Sequence, residues 1–348
     1  MEVITMHTTK RIKKIKLLAM CKNMMSMWCI VVLCLIGCSR KMETRYDSGQ
    51  LKETYEVKKD ATGKYIKHGK YICWYENGNK KQEGIFKNNK ENGRHTLWYE
   101  NGQKENEGEF RDGKKNGFWV TCYENGQKKS EGEYQGDVAI GNWTYWYKNS
   151  SKKEEGMLKD GKRIGKWVTW YENNQKQSEG EFKDGGKVGQ WITWYEDGQK
   201  ESEGEFLGDK KTGSWVSWYD NGQKESENEF KDNQKEGKSI KWHKNGQKQY
   251  EGEFKNGKRV GAWVCWYESG AKNFEGNFIE GKEEGKWVYW YENGQKASEV
   301  EYKDGKKNGK YISWYDSGQK ESEGEFTDSK KAGTWLYWDK EGKLKSSN

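Results

Sequence analysis

Trp215-Val216-Ser217-Trp218-Tyr219, then Asp220-Asn221-Gly222-Gln223, then Lys224-Glu225-Ser226-Glu227-Asn228-Glu229-Phe230 reads as strand, turn, strand. The first run is aromatic and β-branched, which suits a pleated and half-covered surface. Asn-Gly between two such runs is the strongest short signal for a two-residue type I′ hairpin, because both central residues then take φ > 0. With Asn221-Gly222 as the loop, Tyr219 is expected to face Lys224, Val216 to face Glu227 and Trp215 to face Asn228. Most repeats carry glycine in place of Asn228, as in Gly84, Gly108, Gly132, Gly180, Gly204, Gly252 and Gly324, so the ring is expected to cover bare backbone.

Outward from this stretch the unit recurs every 24 residues without insertion. The Trp-Tyr pair returns at Trp74-Tyr75, Trp98-Tyr99, Trp146-Tyr147, Trp170-Tyr171, Trp194-Tyr195, Trp266-Tyr267, Trp290-Tyr291 and Trp314-Tyr315, with the variants Cys122-Tyr123, Trp242-His243 and Trp338-Asp339. A glycine column runs from Gly69 to Gly333, a Glu column from Glu83 to Glu323 and a Lys column from Lys80 to Lys320. In Lys255-Asn256-Gly257-Lys258-Arg259-Val260-Gly261 the unvarying glycine is expected to close a longer second turn with a positive φ. Hairpin after hairpin predicts an all-β fold: tandem 24-residue β-hairpin repeats in an elongated, curved antiparallel meander of about two dozen strands.

Composition agrees with a sheet that lacks a deep interior. Of 348 residues, 32% are apolar and 34% charged; 20 are Trp, 21 Tyr and none Pro. Disordered chains share the high charge but are poor in aromatics and rich in proline. A chain without proline suits a fold in which nearly every N–H enters a ladder. The net charge of +8 is uneven: residues 1–37 hold +5 and residues 38–348 only +3. A nearly balanced mature chain lacks the basic stripe that phosphate binding requires, so nucleic acid is not an expected partner.

Before the repeats, a basic segment precedes the apolar run Met24 to Ile36 and then Gly37-Cys38-Ser39-Arg40. This is the pattern of a secretory signal, and the run is short for a membrane-spanning helix. Leu35-Ile36-Gly37-Cys38 resembles the bacterial lipobox, which implies lipid attachment at Cys38 and a membrane-anchored lipoprotein of the bacterial cell envelope. The expected organisation is a signal peptide at 1–37, a tether with a degenerate first repeat at 38–64, a repeat array of about twelve units at 65–343 and a polar tail at 344–348.

Catalysis needs unlike groups that converge on one point, whereas a repeat supplies like groups in rows. His7, His68, His95 and His243 are scattered, and Glu residues one repeat apart stand about 10 Å from each other, too far to share a metal. No catalytic residue, metal or cofactor is expected. Cys73 and Cys265, eight repeats apart, cannot pair within one chain. The candidate ligand surface is the row Trp143, Trp167, Trp191, Trp215, Trp263 and Trp287, which could stack on sugar rings or an extended peptide while also stabilising the sheet.

Glu203-Gly204-Glu205-Phe206 and Glu251-Gly252-Glu253-Phe254, each followed by a Gly-containing turn and a second Gly, resemble the MORN repeat. Together with the Trp-Tyr-Glu-Asn-Gly-Gln-Lys segment, the unit looks most like the bacterial MORN-variant repeats of the YwqK-like antitoxin family and of exported lipoproteins. Glu stands where ordinary MORN repeats carry their first aromatic. The resemblance implies binding and scaffolding rather than catalysis. Three functions follow as expectations: a lipid-anchored protein that binds or scaffolds a protein partner, a carbohydrate or choline binder acting through its aromatic rows, and an antitoxin that neutralises a partner protein. The sequence does not fix the oligomeric state.

Overall fold

The computed structural model describes residues 40–347, and these hold 27 strands and no helix. The predicted signal peptide and Cys38 lie outside the described residues. The described residues divide into two compact units, with the boundary between Ser150 and Ser151. Within each, successive strands pair antiparallel, as the tandem-hairpin reading requires, except that the short strand Lys90–Glu91 and the next one, Gly93–Trp98, both pair with Lys80–Lys87. In the second unit, strands Lys200–Leu207, Lys210–Trp218 and Lys224–Lys231 give the pattern that most others repeat, and Gln234–Trp242 follows them.

The two turns of the unit are exchanged relative to expectation. At Tyr219-Asp220-Asn221-Gly222, the Gly222 N–H donates to Tyr219 O (2.9 Å) and the Tyr219 N–H to Gln223 O (2.8 Å). Gly222 takes a φ of +79° but Asn221 does not enter the positive region. That is a three-residue loop, a type I turn closed by a left-handed glycine, not a type I′ turn. The extra residue shifts the register between Ser217 and Trp218, so Trp218 rather than Tyr219 faces Lys224. Beyond the shift, Val216 faces Glu227 and Trp215 faces Asn228 as expected.

The tight turn is the other one. Asp232 and Asn233, at φ +52° and +69°, form a two-residue loop between the facing residues Lys231 and Gln234. Asn256-Gly257 and Asp304-Gly305 do the same. Type I′ geometry therefore falls here, and the unvarying glycine lies inside the following strand instead of closing the turn. Its positive φ, +62° at Gly213 and +66° at Gly261, opens a bulge. Glu203 faces Val216 and Glu205 faces Thr212, so residues 213–215 stand opposite Gly204 alone.

That bulge builds the core. It folds Trp215 over Gly204, eleven residues earlier, while the backbone partner of Trp215 is Asn228, thirteen later. The indole covers a glycine, as expected, but the one on the opposite neighbour. A Cβ on Gly204 would stand closer than 3.0 Å to the ring, nearer than real Cβ atoms come, and the same holds for Gly108 under Trp119, Gly180 under Trp191 and Gly252 under Trp263. The Trp215 Nε1–H donates to Glu205 O (3.1 Å), beside the bulge. Phe residues fill the spaces between indoles edge to face: Phe206 lies 6.0 Å from Trp191 and 5.0 Å from Trp215, at 86° and 80°. In the first unit Phe110, Trp119, Tyr134 and Trp143 form the same zigzag.

Two segments outside the expected array prove to be structured. Residues 344–347, read as a polar tail, form strand Leu344–Ser347 paired with Trp338, Tyr337 and Leu336. The degenerate first copy makes strands Arg40–Arg45 and Leu51–Lys59, and Tyr46 Oη donates to Trp74 O (2.7 Å), the bond its later counterparts make. Of the five extra residues of this copy, three are taken up between the facing residues Lys59 and Tyr65, where a wider turn replaces the type I′ loop, and each flanking strand is one residue longer.

Candidate functional site

Alternation of side chains gives each unit two faces, and their charges are arranged differently. One face carries the Lys and Glu columns. A separation of three residues would put Lys224 and Glu227 on opposite sides of a regular strand, but the extra residue at Glu225 returns them to the same side. Lys224 Nζ lies 3.2 Å from Glu227 Oε2, Lys200 2.8 Å from Glu203 and Lys248 2.6 Å from Glu251. Eleven such pairs run through the described residues, from Lys80–Glu83 to Lys320–Glu323. Hydrogen bonds from these lysines hold the carboxyls of Glu83, Glu107, Glu179, Glu251 and Glu323 below their ordinary value. A second cation from the neighbouring strand joins several pairs, as Lys238 does at Glu251 (3.3 Å) and Arg94 at Glu107. The same lysines lie near half-buried indoles, Lys200 at 5.6 Å from the Trp218 ring and Lys224 at 5.7 Å from Trp242. The Lys and Glu columns thus form a ladder of balanced charge, paired within each strand and joined at several rungs by a cation of the next.

The other face holds the aromatic core, and the six candidate rings lie within it. Trp143, Trp167, Trp191, Trp215, Trp263 and Trp287 are exposed by 4, 2, 5, 6, 2 and 2%. Each is pressed against a glycine and flanked by aromatic or long side chains, so no ring face is left for a stacked ligand. The expected stacking groove is thus not formed by these residues; their backbone-covering role is. The physical reason is the bulge at the unvarying glycine, which turns each indole down onto the sheet.

Above these rings runs a column the sequence reading passed over. Arg163 lies 4.2 Å from the Trp167 ring centroid, Lys187 4.3 Å from Trp191, Lys211 4.1 Å from Trp215, and Arg259 4.7 Å from Trp263. Lys235, whose own repeat carries Ser239 in place of Trp, lies 5.1 Å from Phe254. Burial pushes the Lys211 and Lys235 ammonium groups below their ordinary value, and neighbouring cations add to the effect. The signal was available, since each of these residues precedes the column glycine by two positions, but net charge concealed it.

Along the wider turn the repeats are tied sideways. Tyr219 Oη donates to Trp242 O (2.7 Å), Tyr195 to Trp218 O (2.7 Å) and Tyr315 to Trp338 O (2.9 Å). His243 fills the slot through Nε2, 3.1 Å from Trp266 O. Asn221 accepts from the Gln223 N–H (3.0 Å) and donates to Lys244 O (2.8 Å) of the next turn. The tyrosine and asparagine columns thus hold successive turns together. Among the described residues no group of three or more His, Cys, Asp or Glu could hold a metal, and no helix is long and apolar enough to cross a membrane. Cys73, Cys122 and Cys265 are free thiols, and burial pushes that of Cys265 up to about 11.

This unit, a bulged strand, an Asn-bearing turn and a Glu-Gly-Glu-Phe strand, matches a known family. Residues 67–88, 91–112, 163–184, 187–207, 211–232, 235–256, 283–304 and 307–328 fit the MORN repeat variant, and together they make up half of the chain. The chain belongs to that family. No curated protein matches the sequence. Among solved structures, it is similar to the crystal structure of TcdB2-TccC3 and to the same assembly without its hypervariable C-terminal region. Identity is 11% in both, over 90% of this chain and 20% of theirs, with a TM-score of 0.17. The chain spans a fifth of those structures, and a likeness at that score bears on neither fold nor function.

Proposed function

We propose that this chain is a non-catalytic, lipid-anchored repeat protein of the bacterial cell envelope that binds or scaffolds a protein partner along its array. In this reading residues 1–37 are a signal peptide, Cys38 receives the lipid, residues 38–64 carry the tether and first repeat, and residues 65–343 present the binding surface. The observation that supports it best is the repetition itself: each face offers one kind of group at a fixed step, Lys–Glu pairs beside indoles on one side and cations over rings on the other. Such rows suit an extended protein surface better than a reaction centre. Membership of the MORN repeat variant family is in keeping with it.

Two measurements test the two halves. Palmitate labelling of cells that express the chain should be abolished by Cys38→Ala, and label that survives the substitution would refute the anchor. Cross-linking of the protein in envelope extracts should place a partner on residues 65–343; cross-links confined to other residues would refute the array as the binding surface. A glycan or choline ligand is the weaker reading, since the six tryptophans named for it are 2 to 6% exposed and it would have to use other rings of the Trp and Tyr rows. A purely soluble product would favour the antitoxin reading instead.

A further inference from the structure

The second unit carries five consecutive cations on the face opposite the Lys–Glu ladder: Arg163, Lys187, Lys211, Lys235 and Arg259. The column position that follows holds Glu283, which bounds the row. We propose that this row binds an extended acidic polypeptide with a carboxylate at about every third residue. The inference rests on the reading of the chain as a protein-binding array and names the chemistry of its partner.

Ion pairing distinguishes the two faces. On the ladder face all eleven column lysines have a carboxylate within 4.0 Å, whereas Lys187, Lys211, Lys235 and Arg259 have none among the described residues. Arg163 alone in the row is paired, to Glu154 at 2.7 Å. Glu225, on the same face, is engaged by Ser217 (3.2 Å) and Lys241 (3.9 Å). The cations are also held in place: the aromatic rows beneath fix their stems, and the half-buried ammonium groups of Lys211 and Lys235 have already shed part of their water. A ligand carboxylate therefore meets a positioned charge with less hydration to displace.

Spacing selects the ligand. Two strands per repeat set the cations about 10 Å apart, and a peptide in the polyproline II conformation advances about 3.1 Å per residue with three residues per turn, so every third side chain returns to the same side and meets the next cation. Single-stranded nucleic acid would need exposed rings on which to stack its bases, and the indoles under this row are 2 to 6% exposed.

The test is fluorescence anisotropy of a labelled peptide of tandem Glu-Ser-Gly units with the full chain. Saturable, salt-sensitive binding is expected. Joint substitution Lys187→Gln, Lys211→Gln and Lys235→Gln should weaken it by about tenfold or more, while Lys200→Gln, Lys224→Gln and Lys248→Gln on the other face should change it by less than about twofold. Glu283→Lys, which extends the row, should tighten it, and this gain keeps the test decisive even if the triple variant folds poorly. Equal losses from the two triple variants, no gain from Glu283→Lys, or tighter binding of oligothymidylate or phosphatidylglycerol vesicles than of the peptide would overturn the proposal. If the peptide fails while cross-links still map a partner to residues 65–343, the acidic ligand falls and the scaffold reading stands; if both fail, both fall.

Discussion

Replacing Gly204 by alanine would drive a methyl group into the Trp215 indole, which sits closer than 3.0 Å to where that Cβ must go. The ring is backed by Phe206 and bonded through Nε1, so it cannot withdraw without loss. A destabilisation of about 1–3 kcal/mol is expected from urea melts, comparable to overpacking elsewhere. The chain itself shows how the pair can change. One repeat carries Asn228 and Ser239 at these two places, buried to 6 and 1% exposure and bonded to each other at 2.6 Å, and there the bulge slips by one residue so that the two side chains face each other. Val300 with Tyr311 slips in the same way. Gly204→Asn combined with Trp215→Ser should therefore lose less than the sum of the single changes, with a coupling of about 1 kcal/mol or more in a double-mutant cycle. Additive losses would refute the pairing. That indoles cover glycines was legible in the sequence, because the two columns keep one period; which glycine each covers was not, because the bulge that decides it rests on a backbone angle.

At the scale of the element, the wider turn depends on hydrogen bonds that reach the next repeat. Tyr219→Phe removes the donor to Trp242 O and little else, since the ring remains. A loss of about 0.5–1.5 kcal/mol is expected in thermal or urea unfolding. An unchanged midpoint would show that solvent replaces the bond at no cost. The strands themselves were legible from their alternation, but the turns were exchanged, because Asn-Gly and Asp-Gly carry the same I′ signal. Ser269, Ser317 and Glu341, which stand in the Asn221 column and do not take a positive φ, were the available hint that this turn needs only one left-handed residue. Asn174 and Ser150 adopt that conformation where the glycine itself is missing.

Across the whole molecule, the ladder of Lys–Glu pairs makes stability depend on pH. The carboxyls of Glu83, Glu107, Glu179, Glu251 and Glu323 lie below 4.5 in the folded chain, so their contribution is complete above the unfolded carboxylate range and is lost as pH falls through the lowered folded values. Each pair is partly exposed and contributes about 1 kcal/mol at most, but the loss recurs along the array. The midpoint of thermal unfolding should fall slightly from neutrality to about pH 5, because burial holds the His95 imidazole below its ordinary value and unfolding lets it take up a proton, and more steeply below about pH 4. A midpoint that rises on acidification would contradict the sign.

The repeat with Asn228 and Ser239 also interrupts the second unit's procession of rings. Edge-to-face contacts run from Trp167 through Phe182, Trp191 and Phe206 to Trp215, and begin again at Phe254 and Trp263. Each repeat leans chiefly on its immediate neighbours, so tension applied along the chain has no means of sharing the load past a poorly cushioned joint. In a single-molecule extension trace the first rip within residues 151–348 should start at this joint, and the double substitution Asn228→Gly with Ser239→Trp should move it elsewhere.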